Sequence, residues 1–203
     1  MFYAIAKGLL KIYFHLFYGF KVTGRENVPT VGAVIVVANH ASALDPLALG
    51  AGCPRPLRFM AKAELFDNPV LALILRGFRA FPVKRGQVDR EAYRTSMEAL
   101  RAGDALGIFP EGTRSRTGEL QAAHPGAARF SMESGAPIGP AAVVGTFAGH
   151  RGGANRFREA RVRVVFGAPI HPKVPAEGRI TREDSDRLAH QIMERIQNLI
   201  DAA

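Results

Sequence analysis

Six short apolar runs, rich in Val, Ile and Ala, alternate along the chain with segments of helical periodicity. The runs occupy residues 33–38, 57–60, 78–83, 105–109, 138–144 and 162–166. Runs of this length and composition predict strands. Strands that alternate with helices predict an α/β fold, in which helices flank a central mixed, largely parallel sheet. Because no linker divides the chain, we expect one such domain over residues 21–203.

Helix start and stop signals fall between these runs. Asp45, followed by Pro, predicts an N-cap and a helix over residues 46–51. Asp89 predicts the N-cap of a longer helix that continues to Arg101. Further helices are expected at residues 69–76, at residues 126–134 and, after a capping box of Thr181 and Asp184, near the C-terminus.

The first twenty residues are mostly apolar and aromatic, but Lys7 and Lys11 interrupt them. A signal peptide is a poor match because no small-residue cleavage site follows. A transmembrane span would need about 20 uninterrupted apolar residues. Lys7, Lys11 and His15 recur every fourth residue, so they would form one polar stripe on a helix. The pattern predicts a membrane-interfacial helix over residues 1–20, with its lysines toward phosphates; a core-packing helix with one solvated edge is the alternative.

The charge balance favours an anionic partner. Lys and Arg number 27 against 18 acidic residues, a net charge of +9, and phospholipid headgroups explain this excess better than nucleic acid. Cys53 is the single cysteine, which excludes an intrachain disulfide and fits a reducing compartment. Neither a metal nor a cofactor is expected, because the sequence lacks phosphate-binding loops, His-Glu-x-x-His and zinc-ligand spacing.

The first polar cluster, NHASALD at residues 39–45, directly follows a predicted strand. His40 and Asp45 have the chemistry of an acid–base pair, in which the carboxylate orients the imidazole and the ring takes a proton from a substrate. Asn39 and Ser42 would brace the turn through local bonds to the backbone. Ser42 as a nucleophile is the alternative, although the Gly-x-Ser-x-Gly pattern is absent.

The second cluster, FPEGTRS at residues 109–115, also follows a predicted strand. Arg114 offers a planar donor fork for a phosphate, Gly112 allows close backbone approach, and Glu111 and Thr113 suit hydroxyl groups. The alternative is a polar turn with a surface Glu–Arg pair. Two such turns at strand ends predict one active site at one edge of the sheet.

Two further observations refine this prediction. The basic segment at residues 76–85 ends on Lys84 and Arg85 after a predicted strand, which taken alone is typical of a solvated basic face. If His40 is a base and the substrate is an alcohol, the electrophile must already be activated. A thioester satisfies that requirement without a metal or a covalent nucleophile.

Together the two clusters resemble the motifs of the glycerolipid acyltransferase family. Residues 39–45 match its Asn-His-x-x-x-x-Asp motif, and residues 109–115 match its Phe-Pro-Glu-Gly-Thr-Arg-Ser motif in full. Weaker likenesses run from Gly77 to Arg85 and from Pro137 to Val143. His124 is a departure, because relatives often carry a Lys near this position.

The resemblance implies transfer of a fatty acyl group from acyl-CoA or acyl-carrier protein to the free hydroxyl of 1-acylglycerol-3-phosphate (lysophosphatidic acid), which gives phosphatidic acid. It implies that His40 removes the hydroxyl proton and that Asp45 orients the ring. The substrate-binding residues that it implies are Arg85, Glu111, Gly112, Thr113 and Arg114.

We therefore expect a peripheral or monotopic enzyme on the cytoplasmic side of the cell membrane. Its expected partners are the phospholipid surface, lysophosphatidic acid and an acyl thioester, and not nucleic acid. Acylation of a different lysolipid and a non-catalytic basic lipid-binding module are the alternatives. The sequence does not indicate an oligomeric state.

Overall fold

A computed structural model describes residues 2–84, 86, 89–147, 161–173 and 179–203. The strands are β1 (Lys21–Thr23), β2 (Val34–Ala38), β3 (Leu57–Lys62), β4 (Phe81–Val83), β5 (Ala105–Ile108), β6 (Ile138–Val144) and β7 (Arg163–Phe166). The α-helices are α1 (Phe2–Tyr18), α2 (Asp45–Gly52), α3 (Pro69–Gly77), α4 (Arg90–Arg101), α5 (Gly126–Ser134) and α6 (Arg182–Asp201). Short 3₁₀ helices lie at Arg25–Asn27 and Ala63–Phe66.

The seven strands form one sheet in the order β1-β7-β6-β2-β5-β3-β4. Strand β6 pairs antiparallel with β7, and the other neighbouring strands pair in parallel. The prediction of a mixed, largely parallel sheet is therefore confirmed. Strands β2, β5 and β6 run in one direction side by side, so their carboxyl ends meet at the same edge of the sheet.

The helices divide between the two faces of the sheet, as right-handed crossovers require. The steps from β2 to β3 and from β3 to β4 move one way along the sheet, and the steps to β5 and β6 return. Helices α2 and α3 therefore share one face, where α1 packs beside α2. The opposite face is covered by α4, α5 and α6 through a second apolar cluster.

The predicted helices form, and two of the three predicted caps are present. The Asp89 carboxylate accepts hydrogen bonds from the N–H groups of Glu91 and Ala92 at the start of α4. Thr181 and Asp184 form the expected capping box at the start of α6. These local signals suffice because each cap satisfies backbone donors that the first helical turn leaves unpaired.

One strand prediction needs correction, and one strand was not predicted. The run at residues 78–83 contains a strand only from Phe81, because the Phe78 N–H bonds to the Ile74 carbonyl at the end of α3 and Arg79 adopts a positive φ of 61°. Strand β1 was not predicted from the apolar runs. It has three residues, two of them polar, and depends on pairing with β7.

Helix α1 packs against the domain through aromatic side chains and exposes an apolar face. Phe14 and Tyr18 are buried in the cluster that also contains residues of α2 and β7. The Lys7 ammonium donates to the Cys53 carbonyl, so this part of the polar stripe points toward the protein and not toward phosphates as predicted. Burial also lowers the pKa of Lys7. Among the helices of the described ranges, none has both the length and the apolarity to cross a bilayer.

Candidate active site

The two polar clusters come together at the carboxyl ends of β2 and β5. Because these strands are parallel neighbours, the turn at residues 39–45 and the loop at residues 109–115 lie side by side. The backbone N–H of His40 donates to Glu111 Oε1 at 2.6 Å, and the N–H of Ser115 donates to the His40 carbonyl at 2.7 Å. The backbone N–H and the backbone carbonyl of His40 are therefore both bonded to residues of the second cluster.

His40 and Asp45 form the predicted dyad. The His40 Nδ1 atom lies 3.0 Å from Asp45 Oδ2, and the carboxylate is completely buried. The same Oδ2 atom accepts bonds from the N–H groups of Ala41 at 2.7 Å and Ser42 at 2.6 Å. A carboxylate oxygen only accepts, so Nδ1 is the protonated ring nitrogen, and Nε2 carries the lone pair that can take a proton.

The predicted N-cap role of Asp45 is wrong. Helix α2 begins at Asp45 itself, with Leu44 at the N-cap position and no side-chain cap. The carboxylate instead accepts from N–H groups that precede the helix, because it turns back toward His40. Ser42 does brace the turn, since its buried Oγ accepts from the Leu44 N–H at 3.2 Å.

Asn39 braces the turn by a long-range contact and not by the local one predicted. Its side-chain amide donates to the Val143 carbonyl at 2.9 Å, and its Oδ1 accepts from the Val143 N–H at 2.8 Å. This paired contact continues the hydrogen bonding between β2 and β6 by one residue beyond the end of β2. The turn is consequently fixed to both strands that flank β2 in the sheet.

Glu111 is buried, and both of its carboxylate oxygens bond to groups of the chain. In addition to His40, the backbone N–H and the side-chain amide of Gln121 donate to Oε2, each at 3.2 Å. Burial raises the pKa of Glu111, and the bonds from His40 and Gln121 oppose that rise. These bonds argue against a surface Glu–Arg pair, and contact between Glu111 and a substrate stays a prediction.

The other predicted binding residues are Gly112, Thr113, Arg114 and Arg85. The first three belong to the loop at residues 109–115, and Arg85 lies outside the described residues. Thr113 and Arg114 are exposed, and their loop lies beside the turn that carries His40 and Asp45. Gly112 has a positive φ of 70°, and a Cβ added there would lie 3.0 Å from the His124 ring, so this ring lies directly over the turn. Arg85 is not among the described residues, and its predicted role in phosphate binding stays a prediction.

Phe109 stacks on the catalytic candidate. The rings of His40 and Phe109 have centroids 4.2 Å apart and planes 22° from parallel. This contact fixes the plane of the imidazole and covers one of its faces with apolar surface. Within the described ranges, no group of three His, Cys, Asp or Glu side chains is arranged to hold a metal ion.

Thr146 completes the site and was not predicted from the sequence. Its Oγ1 donates to Asp45 Oδ1 at 2.5 Å, and the side chain is 1% exposed. Thr146 comes two residues after the end of β6, whose carboxyl end lies at the same edge as those of β2 and β5. A search for polar residues after each predicted strand would have included it, because the run at residues 138–144 was recognised.

Comparisons with known proteins agree with this arrangement. A family model described as "Acyltransferase" matches residues 19–144. The 1-acyl-sn-glycerol-3-phosphate acyltransferase of Bacillus subtilis is 32% identical over 170 residues, which cover 83% of this chain and 82% of that protein. A probable enzyme of the same name from Mycoplasma pneumoniae is 35% identical over 74% of this chain, which spans 61% of that relative's length.

A solved structure also matches this chain. The crystal structure of the 1-acyl-sn-glycerophosphate (LPA) acyltransferase PlsC from Thermotoga maritima matches with a TM-score of 0.75 and 27% identity. The match covers 97% of this chain and 79% of that one. The dyad, its supporting loop and these matches lead to one conclusion: the chain belongs to the acyltransferase family and is an O-acyltransferase.

Proposed function

We propose that the enzyme transfers a fatty acyl group from acyl-CoA or acyl-carrier protein to the free hydroxyl of 1-acylglycerol-3-phosphate, giving phosphatidic acid. The observation that carries the proposal is the 3.0 Å contact between His40 and Asp45 on a turn bonded to the loop that presents Arg114. The names of the Bacillus subtilis and Mycoplasma pneumoniae relatives support this acceptor.

In the proposed mechanism, His40 acts as a general base. Its Nε2 atom removes the proton of the acceptor hydroxyl while the oxygen attacks the thioester carbonyl. The new C–O ester bond forms, the C–S bond breaks, and the imidazolium returns the proton to the leaving thiolate, so a free thiol is released. Asp45 holds the ring in the required tautomer and stabilises the imidazolium.

The acceptor phosphate binds at the loop after β5 in this proposal. Arg114 is exposed next to the His40 turn and presents a planar fork that matches a phosphate. Arg85 is proposed as a second phosphate ligand, and Gly112 and Thr113 as backbone and hydroxyl contacts. The proposal gives Glu111 a double role, since the side chain that holds His40 would lie near the glycerol hydroxyls.

The acceptor assignment predicts a preference that depends on Arg114. The purified protein with a long-chain acyl thioester is expected to acylate lysophosphatidic acid much faster than monoacylglycerol, which lacks the phosphate. Arg114→Ala is expected to raise KM for lysophosphatidic acid by roughly tenfold to a hundredfold, because a charge-assisted contact is lost. Mass spectrometry of the product and initial rates with both acceptors measure the effect, with acyl-CoA and acyl-carrier protein supplied in separate reactions.

Arg116→Ala is the matched control, because Arg116 is also an exposed arginine in the loop after β5. Its KM is expected to stay at the native value. Equal native rates on the two acceptors would reject lysophosphatidic acid as the preferred substrate, and an absence of transfer to either would reject the proposed reaction.

We further propose that the face formed by α1 and α3 rests on the membrane. The exposed apolar side chains of this face are Ile5, Leu9, Ile12, Leu16, Val70 and Leu73, each between 57% and 73% exposed. Tyr3 of α1 and Phe78 after α3 meet edge to face at 6.1 Å, so the N-terminal end of α1 lies beside the C-terminal end of α3. Lys11, His15 and Arg25 line a groove of about 400 Å³ beside α1. The charges of Lys11 and Arg25 would attract anionic headgroups there.

Point substitutions test this surface better than deletion of α1, because Phe14 and Tyr18 belong to the core. Leu9→Glu and Leu73→Glu are each expected to weaken binding to anionic vesicles by about tenfold or more, since burial of a Leu side chain contributes about 1.5–3 kcal/mol. Flotation of the full-length protein measures the bound fraction. Val31→Glu is the control, because Val31 is 82% exposed in the loop before β2. Native flotation of both leucine variants would refute the proposed surface.

A further inference from the structure

We infer that Thr146 is a positioning residue for the dyad, so that the end of β6 contributes to the active site together with the two polar clusters. The inference rests on the proposed role of His40 as general base. Thr146 lies just beyond residues 19–144, the part of the chain that the family model matches. Its hydroxyl reaches Asp45, which is distant in the sequence but adjacent at the edge of the sheet.

The hydrogen bonds of Asp45 explain why this hydroxyl matters. Oδ2 accepts from the backbone of Ala41 and Ser42 and from the His40 ring, so this oxygen carries three contacts. Oδ1 accepts from Thr146 at 2.5 Å, completely out of contact with solvent. The bond at Oδ1 adds a constraint on the second carboxylate oxygen to the three at Oδ2, and so further restricts rotation about the last torsion of Asp45. Fixing the carboxylate plane fixes the direction from which the His40 Nδ1–H is held.

The backbone conformation at Gly145 places the Thr146 hydroxyl next to Asp45 Oδ1. Gly145 has a positive φ of 90°, and a Cβ there would collide with the Arg161 carbonyl oxygen. The turn after β6 therefore requires glycine at position 145, and it leads the chain to the contact between Thr146 and Asp45. Asn39 is paired with Val143, so residues 143–146 contact both ends of the catalytic turn.

The inference predicts a defined pattern of kinetics. Thr146→Val keeps the shape of the side chain and removes the donor. Its kcat is expected to fall by roughly tenfold to a hundredfold, the loss typical of a small displacement of a catalytic group, while KM for lysophosphatidic acid stays near native. Thr146→Ser restores the hydroxyl and is expected to recover most of the lost kcat. Initial rates of the three full-length proteins measure this, with thermal unfolding recorded for each.

Thr30→Val controls for loss of an exposed threonine hydroxyl and is expected to leave kcat unchanged. A native kcat for Thr146→Val would overturn the inference. It would also fail if Thr146→Ser were as slow as Thr146→Val, or if activity fell only in proportion to the folded fraction. Failure of the proposed function is distinguishable, because the native protein itself would then transfer no acyl group.

Discussion

His40→Ala is expected to lower kcat for acyl transfer by roughly 10²- to 10⁴-fold, the contribution typical of a positioned general base. The substitution removes the ring nitrogen that accepts the hydroxyl proton in the proposed mechanism, and it leaves a cavity between Asp45 and Phe109. KM for lysophosphatidic acid is expected to change little, because Arg114 and the loop after β5 remain. Phosphatidic acid formed from labelled acyl thioester gives both constants.

The control for this variant is His190→Ala. His190 is exposed on α6, on the opposite face of the sheet from α2, and its loss leaves the dyad intact. We expect native kcat for it. If His40→Ala retained native kcat, or if the control lost as much activity as His40→Ala, the role of His40 as the base would have to be abandoned.

Asp45→Asn is expected to lower kcat by about 10²- to 10⁴-fold with the fold retained, by analogy with the Asp-to-Asn change in a serine-protease triad. The amide oxygen can still accept from Ala41 and Ser42, and the amide nitrogen can donate to Thr146, whose hydroxyl also accepts. The charge that stabilises the imidazolium is lost. The ring is also no longer held firmly in the tautomer that leaves Nε2 free.

Rates and thermal unfolding of Asp45→Asn distinguish lost chemistry from lost structure. Asp186→Asn, an exposed carboxylate on α6 that pairs with Arg182, should leave both measurements unchanged. A near-native kcat for Asp45→Asn would mean that the carboxylate charge does not assist the reaction, and the mechanism would then need a different partner for His40.

The sequence predicted those parts of the site that depend on strand ends and short spacing. His40 and Asp45 are five residues apart on one turn, so their spacing alone predicted that the two side chains would meet. The adjacency of residues 39–45 and 109–115 followed from the rule that parallel strands share an edge. Local signals also predicted α4 and α6, because Asp89 and Thr181 cap the helices that directly follow them in the sequence.

The contacts that the sequence did not reveal are long-range. Thr146, which follows β6, bonds to Asp45, which follows the neighbouring strand β2. Asn39, directly after β2, likewise bonds to Val143 of β6. Spacing along the chain carries no signal for such pairs until the strand order is known. Lys7 illustrates the converse, because its position in a periodic stripe suggested exposure, whereas packing of α1 turns it toward the Cys53 carbonyl.

The attachment of the His40 peptide unit to Glu111 and Ser115 has a consequence for side reactions. The loop that holds the backbone of the base also carries Arg114, so a ligand that orders this loop also orders the base. If the acceptor phosphate binds Arg114 as proposed, occupancy of that position and correct placement of the imidazole would favour each other by thermodynamic linkage. Under the proposed mechanism, activation of a stray water molecule against a bound thioester would then be less favourable before the acceptor binds, and hydrolysis of the acyl donor would be slower.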